Sequence, residues 1–358
     1  MKKIILITGS CGLVGSEAAL FFLKKKFNVI GIDNNKRKFF FGNDGSNFLI
    51  KKKLIKHKNY KHYNLDLVNN KSIENIIKKN KSRISLFIHS AAQPSHDWAK
   101  KNIELDYEIN ASATLKLLLM FKNYCPKSKF IFMSTNKVYG DTPNNIKFFE
   151  KKTRYSIPEN HLFSKGVDET MNIDNSTHSF FGVSKASADL MTQEFGKNFR
   201  LNTIIFRAGC ITGPNHNGAE LHGFLSYLVK SLIKKNEYKV IGHKGKQVRD
   251  NIHSFDLVNC FWNYYKSKKK FYGEVFNIGG GNKSNCSVLE AINYVKKKVL
   301  IKPKITFEKK NRLGDHIWWI TNNSKFKKNF KTWKQKYSIK KILDELINYE
   351  INNTKLKN

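Results

Sequence analysis

Arginine is scarce in this sequence: only seven of its 65 basic residues are arginine, at positions 37, 83, 154, 200, 207, 249 and 312. Nucleic-acid readers lean on the bidentate guanidinium fork. The formal net charge of +37 therefore reads as a solvated lysine surface, and no specific nucleic-acid partner is expected. Cysteine is also sparse. The five thiols at 11, 125, 210, 260 and 286 form no CxxC pair and no zinc spacing, which excludes a disulfide scaffold and gives no reason to expect a metal. No apolar run reaches the ~18 residues of a membrane span. The opening MKKIILIT stops at Thr8-Gly9 without a small-residue cleavage site. A cytoplasmic protein with no membrane partner is expected. Internal repeats and low-complexity linkers are missing too.

What is present is a core-forming chain of 358 residues, 40% hydrophobic and 13% aromatic, long enough for one large domain or two coupled ones. Apolar runs at 3–8, 27–33, 85–91, 129–135 and 202–208 read as buried strands. Between them, 13–25, 72–80, 103–124 and 182–198 carry apolar residues at three- and four-residue steps and read as helices. That alternation predicts an α/β fold with a parallel sheet covered on both faces. Beyond Arg207 the pattern becomes irregular, with a Gly/Pro/Asn-rich loop at 213–218, a helix near 220–235 and a C-terminal helix from about 338.

ITGSCGLVG, residues 7–15, follows the first strand and opens the first helix. Gly9 suits the tight turn, Gly12 lets the backbone approach a pyrophosphate, and Gly15 permits close packing of helix on sheet at an anion-favouring N-terminus. Asp33, at the end of the second strand, can accept hydrogen bonds from ribose hydroxyls and repels a 2′-phosphate. NAD is expected over NADP, although Lys36 and Arg37 keep the phosphorylated form open. The fold predicted is a Rossmann-type doubly wound parallel sheet with a smaller α/β C-terminal substrate-binding region.

These segments resemble the extended short-chain dehydrogenases/reductases, the NAD-dependent epimerase/dehydratase family. The resemblance runs over roughly residues 3–320 and rests on the GxxGxxG spacing of the loop, STNKVYGD (134–141), HSFFGVSK (178–185), GKQVRD (245–250) and FNIGG (276–280). Within the family the likeness is to epimerases of nucleotide sugars, and AAQPSHDWA (91–99) resembles a related subgroup. The resemblance implies an NAD-binding domain over 1–206, with 251–277 returning to it, and a nucleotide-sugar-binding region over 207–250 and 278–358. It assigns to the cofactor Gly9, Cys11, Gly12, Leu13, Val14 and Gly15 of the loop. To these it adds Asp33 and Asn34, Asp66 and Leu67 closing the third strand, Ala91, Ala92 and Gln93 closing the fourth, and Asn110, Ser134 and Lys185. To the substrate it assigns Thr135, Asn136, Arg207, Asn215, Arg249, Arg312 and Asp315. It further implies a homodimer or homotetramer built on the helices at 103–124 and 182–198, with a product destined for surface polysaccharide.

One residue departs from the family pattern. The family places a catalytic tyrosine four positions before the lysine of HSFFGVSK, and Phe181 stands there. Epimerisation needs a group that takes the hydroxyl proton and returns it, which phenylalanine cannot do. His96 and Lys137 are the leading replacements, ahead of His178 and Tyr139, with Thr135 and a water relay as another route. A dehydratase is a second reading, weakened by Asn136-Lys137 where dehydratases of this fold usually carry an Asp-Glu pair. A non-catalytic protein that binds NAD or a nucleotide sugar is a third.

Overall fold

The computed structural model describes residues 2–214, 216, 218, 223–309, 311 and 314–355. The chain divides into two compact units. The first comprises Met1–Val138, Ser179–Arg207 and Leu257–Phe276; the second comprises Tyr139–His178, Ala208–Asp256 and Asn277–Asn358. Residues 139–178, expected in the cofactor domain, thus group with the second unit.

The first unit is built on a seven-stranded sheet. Its strands are β1 (Ile4–Thr8), β2 (Asn28–Ile32), β3 (Tyr60–Tyr63), β4 (Ile84–His89), β5 (Lys129–Thr135), Asn202–Ala208 and Tyr272–Ile278. Their order across the sheet is Tyr272–Ile278, Asn202–Ala208, β5, β4, β1, β2, β3. β1 lies parallel to both β2 and β4, with Thr8 opposite Ile32 on one side and His89 on the other. The connections leave β1 in opposite directions here, which opens a crevice at the carboxyl ends of β1 and β4. The strands are apolar on both faces because helices cover both: Ile5, Leu6, Ile7, Leu86, Phe87, Ile88, Phe130 and Ile131 are fully buried. In the helix Asn70–Asn80 the core-facing residues Ile73, Ile76 and Ile77 recur at helical spacing, as the sequence predicts.

Two local departures matter. β3 ends at Tyr63, so Asp66 lies three residues past the strand, in a turn where its Oδ1 accepts from Val68 N at 3.2 Å. The helix expected over 103–124 is interrupted by a π-helical turn at Glu108–Ser112. Such turns are frequent at functional sites, and Asn110 lies buried within this one.

The second unit has its own core, formed by Leu228, Val229, Leu232, Ile292, Val295, Ile342 and Leu346 from the helices Phe224–Ile233, Val288–Val299 and Ile339–Lys355. Short strands complete it: Val248–His253 pairs with Asn285–Ser287, Trp318–Trp319 and Cys210–Thr212. Its helix Val288–Val299 starts at a capping box in which Ser287 Oγ accepts from Glu290 N and Glu290 Oε2 accepts from Ser287 N, both at 3.0 Å.

Candidate active site

The loop after β1 shows why its three glycines stand where they do. Gly9 adopts φ +68°, and a Cβ on it would lie 2.7 Å from Ala91 N; a Cβ on Gly15 would lie 2.0 Å from Gly9 O. Both are demanded by the protein's own packing. Gly12 is not: a Cβ there would meet nothing nearer than Gly9 O at 3.4 Å. The space over Gly12 is a cradle that a methyl group would fill, beside the N-terminus of helix α1 (Leu13–Lys24). That end has neither a side-chain cap nor an acid in its first turn, so its N–H groups are available to an anion. Leu13 and Val14 open this helix, and Cys11 Sγ is buried beneath the loop.

Asp33 follows β2 directly. Its Oδ2 accepts from Cys11 N at 2.9 Å and its Oδ1 from Asn35 N at 2.8 Å, which fixes the carboxylate at the loop with lone pairs to spare; Asn34 stands beside it. The nearby cations are engaged elsewhere. Lys36 Nζ pairs with Asp66 Oδ2 at 2.8 Å, and the Arg37 guanidinium lies 4.7 Å over the Phe41 ring. A carboxylate beside the glycine loop, with Lys36 and Arg37 engaged elsewhere, suits an unphosphorylated ribose. Asp66 is engaged with Lys36, and Leu67 is buried in the core cluster. Half-buried Ala91 and Ala92 keep the wall opposite the loop low. The residues present therefore fit an adenine dinucleotide.

The same geometry separates two substitutions. Gly12→Ala leaves the urea midpoint within experimental error and weakens NAD binding by at least about tenfold, because only the ligand contests that space. Gly15→Ala destabilises the fold itself, by about 1–3 kcal/mol or more, because its Cβ meets backbone. Urea titration and NAD calorimetry on the pair check both halves.

Under the crevice lies a buried polar bracket. Asn110 Nδ2 donates to Gln93 O, Asp106 Oδ1 and Ser184 Oγ at 3.0, 3.1 and 3.1 Å, and its Oδ1 accepts from Gln93 N at 3.0 Å. Gln93 Nε2 donates to Asp106 Oδ1 at 2.6 Å. Gln93 and Asn110 thus hold the β4 loop to the helix Phe180–Asn198 through Asp106 and Ser184. Burial raises the Asp106 carboxyl above its ordinary range, although Ser184 and Gln93 hydrogen-bond it. His89 bridges Thr8 and Thr114 at 2.7 and 2.8 Å, and burial, then the charge of Lys185, pulls its imidazole down to about 3, so it stays neutral.

Lys185 is 3% exposed and donates from Nζ to Met133 O at 2.7 Å, with the Phe132 ring 4.2 Å beneath. Burial lowers its amine to about 8, opposed by the charges of Asp189 and Asp106. One turn further along the helix, Asp189 takes Ser134 Oγ at 2.6 Å and a two-pronged ion pair from Arg207, Nε to Oδ2 at 2.9 Å and Nη2 to Oδ1 at 3.0 Å. Arg207, expected at the substrate, is thereby committed to Asp189, and the Ser134 hydroxyl likewise. Thr135, half-buried at the end of β5, accepts from Lys137 N at 3.2 Å and donates to Asn136 Oδ1 at 3.4 Å. Lys137 follows on a 3₁₀ turn.

Phe181 is 7% exposed and lies one turn before Lys185. The imidazole of His96 packs against it edge to face, ring centres 5.0 Å apart. His96 Nδ1 is 2.6 Å from Ser179 Oγ, and Ser179 caps the helix Phe180–Asn198 by accepting from Gly182 N at 3.1 Å. Asp106, Ser179, Ser184 and Asp189 are the site residues that sequence reasoning missed; Asp189, one turn after Lys185 on a buried helical face, was the most findable.

In the second unit, Arg249 Nη2 donates to Asp315 Oδ1 at 2.6 Å and Nη1 to Val248 O at 2.8 Å, so two expected substrate residues form one pair. Tyr139 is fully buried, donates to Asn277 Oδ1 at 2.9 Å and stacks on Trp319; it is a core residue. Asn215 and Arg312 lie outside the described residues.

The family model for the NAD dependent epimerase/dehydratase family matches residues 5–279. Among curated proteins, CDP-paratose 2-epimerase of Salmonella typhi is 31% identical over 290 residues, covering 80% of this chain and 81% of that protein. UDP-glucose 4-epimerase of Mycoplasma genitalium is 25% identical over 98% of this chain and 96% of its own length. Among solved structures, a Tyr-to-Phe variant of UDP-glucuronic acid 4-epimerase from Bacillus cereus, with a fluorinated substrate analogue and NAD, superposes with a TM-score of 0.77. It is 23% identical, over 98% of this chain and 99% of that one, and shows the fold. The family model over residues 5–279 and the 31% identity over four fifths of the chain agree: the chain belongs to the NAD-dependent epimerase/dehydratase family of nucleotide-sugar enzymes.

Proposed function

We propose that this protein is a nucleotide-sugar epimerase, an isomerase that inverts C2 of CDP-paratose to give CDP-tyvelose, and that His96 serves in place of the missing tyrosine. The observation that carries the reading is the Phe181–His96 contact: where the family hydroxyl is lost, a titratable ring packs against its replacement and is anchored from behind by Ser179. With Nδ1–H donated to Ser179 Oγ, the ring's lone pair resides on Nε2, the form of a general base.

NAD, when bound, supplies the redox chemistry at C2. The chain does the rest. His96 Nε2 takes the C2 hydroxyl proton and returns it after the keto sugar presents its other face; the Thr135 hydroxyl orients the reacting oxygen; charged Lys185 binds the nicotinamide ribose. Lys137 stands as the alternative proton carrier. Arg249 and Arg312 hold the nucleotide diphosphate and its ribose, where a guanidinium fork matches phosphate oxygens, and Asn215 and Asp315 complete the substrate site. Asn136-Lys137 supplies no carboxylic acid for eliminating water, which disfavours dehydration. The exposed apolar stripe of Tyr107, Phe180, Val183 and Leu190 supports pairing of two chains through these helices, in a dimer or a dimer of dimers.

Because the Lys185 amine titrates near about 8, its charge is present below that pH and lost above it. A kcat/KM profile that falls on the alkaline side near pH 8 is expected; a plateau running through about pH 9.5 contradicts the role given to Lys185. The substrate assignment is tested by incubating the protein with CDP-paratose, UDP-glucose and dTDP-glucose and identifying products by NMR. Conversion of CDP-paratose to its C2 epimer is expected. A keto-deoxy sugar formed from dTDP-glucose would mean a dehydratase.

A further inference from the structure

Between β2 and β3 the chain inserts two short helices, Arg37–Phe41 and Phe48–Ile55, that the cofactor site uses only at its edge. The second is tied to the first at its start: Asn47 N donates to Asn35 Oδ1 at 2.7 Å and Asn35 Nδ2 to Ser46 Oγ at 3.5 Å. Only Leu54 of the second helix is fully buried. At about 100° per residue, Phe48, Leu49, Lys52, Lys53, Ile55 and Lys56 all fall within about 160° of arc, and all six are exposed. Phe48 is 53%, Leu49 77% and Ile55 52% exposed, and Phe39 on the first helix is 67% exposed.

An outward helix face normally carries polar residues. This one carries three large apolar side chains interleaved with lysines, and the Lys52 ammonium lies 4.7 Å over the Phe48 ring, so charge and apolar surface are presented together. From residue 37 to 58 there are seven basic residues and a single acid, Asp44. Phe39 and Phe40 pack on Trp98, ring centres 6.0 and 4.6 Å away, which braces the first helix against the body of the unit.

The geometry points to this face as a docking surface for an anionic lipid bilayer. Lysines draw it to lipid phosphates, and Phe48, Leu49, Ile55 and Phe39 enter the headgroup boundary, as interfacial helices do. The exposed aliphatic Leu49 and Ile55 separate this face from a nucleic-acid surface, which uses basic residues and stacking aromatic rings and has no need of aliphatic side chains. Adherence of this kind needs no spanning helix, and among the described residues none is long and apolar enough to cross a membrane. The sequence expectation of no membrane partner rests on the absence of a spanning run, which a surface-lying helix does not need.

The test is flotation of the full chain with vesicles of phosphatidylcholine alone or mixed with phosphatidylglycerol, at about 0.1 M KCl, where screening is moderate. The protein is expected to float with the anionic vesicles and not with the neutral ones. Phe48→Asp with Leu49→Asp, and separately Lys52→Glu, Lys53→Glu and Lys56→Glu together, each reduce the bound fraction at least about tenfold. Leu49→Asn, a milder change at the most exposed of these positions, reduces it measurably, and unchanged NAD affinity shows the variants are folded. No flotation with anionic vesicles overturns the proposal. So does flotation that the lysine variant weakens while both Leu49 variants leave it intact, which would assign the binding to general surface charge, or binding of a single-stranded oligonucleotide in preference to vesicles.

Discussion

His96→Ala lowers kcat by about 10²- to 10⁴-fold, the range that a positioned general acid-base group contributes, and changes KM by less than about threefold. The ring packs on Phe181 and is anchored by Ser179, so its removal takes the proton carrier and leaves Thr135, Lys185 and the glycine loop in place. Adding Phe181→Tyr to the His96→Ala chain restores a hydroxyl four residues before Lys185, the family's own arrangement, and recovers activity by at least about tenfold. A structural role for His96 predicts otherwise. Loss of its support to the Ser179 cap would cost about 1 kcal/mol of stability and gain nothing from the tyrosine. If His96→Ala keeps most of its activity, Lys137 becomes the residue to replace.

Asp189→Ala is expected to destabilise the first unit by about 3–5 kcal/mol in urea unfolding, because it removes the carboxylate of a buried ion pair with Arg207, whose side chain is 8% exposed. Ser134 loses its acceptor in the same stroke. Replacing both partners, as in Asp189→Leu with Arg207→Met, recovers most of the loss, since two apolar groups of similar size leave no unpaired charge. Losses in Asp189→Leu alone and Arg207→Met alone that add up to the loss in the double variant would show the pair to be uncoupled. Asp189 also helps hold the Lys185 amine up against burial. Any Asp189 variant that folds should therefore show its alkaline limb at lower pH than the parent, a readout that lost packing would not produce.

Much of this was legible in the sequence where one local signal dominated. Residues 129–135 and 202–208 read as strands to the residue, because a continuous apolar run flanked by polar breaks leaves no competing period. The glycine loop was readable because Gly9 and Gly15 answer to backbone contacts that follow from the strand-loop-helix context. What escaped was non-local. Arg207 reads from the sequence as a substrate residue, because its partner Asp189 is eighteen positions away on another element. The interruption at Glu108–Ser112 has no propensity signature; it follows from the fit of Asn110 between Gln93, Asp106 and Ser184. Strands as short as Trp318–Trp319 and Asn285–Ser287 carry too few residues for a period of two to show. The segment 139–178 goes with the second unit through contacts such as Tyr139 to Asn277 and His316 to Gly140, which only tertiary structure reveals.

The central claim, that this chain epimerises a nucleotide sugar by oxidising one carbon and returning the same hydrogen to its other face, is met most directly by incubating the protein with CDP-paratose in deuterated water and following the sugar by proton NMR. The account predicts CDP-tyvelose that retains its C2 hydrogen, since that hydrogen never exchanges with solvent. Deuterium at C2 would mean a carbanion route without redox chemistry, and unchanged CDP-paratose in the presence of bound NAD would mean that the assigned reaction is wrong.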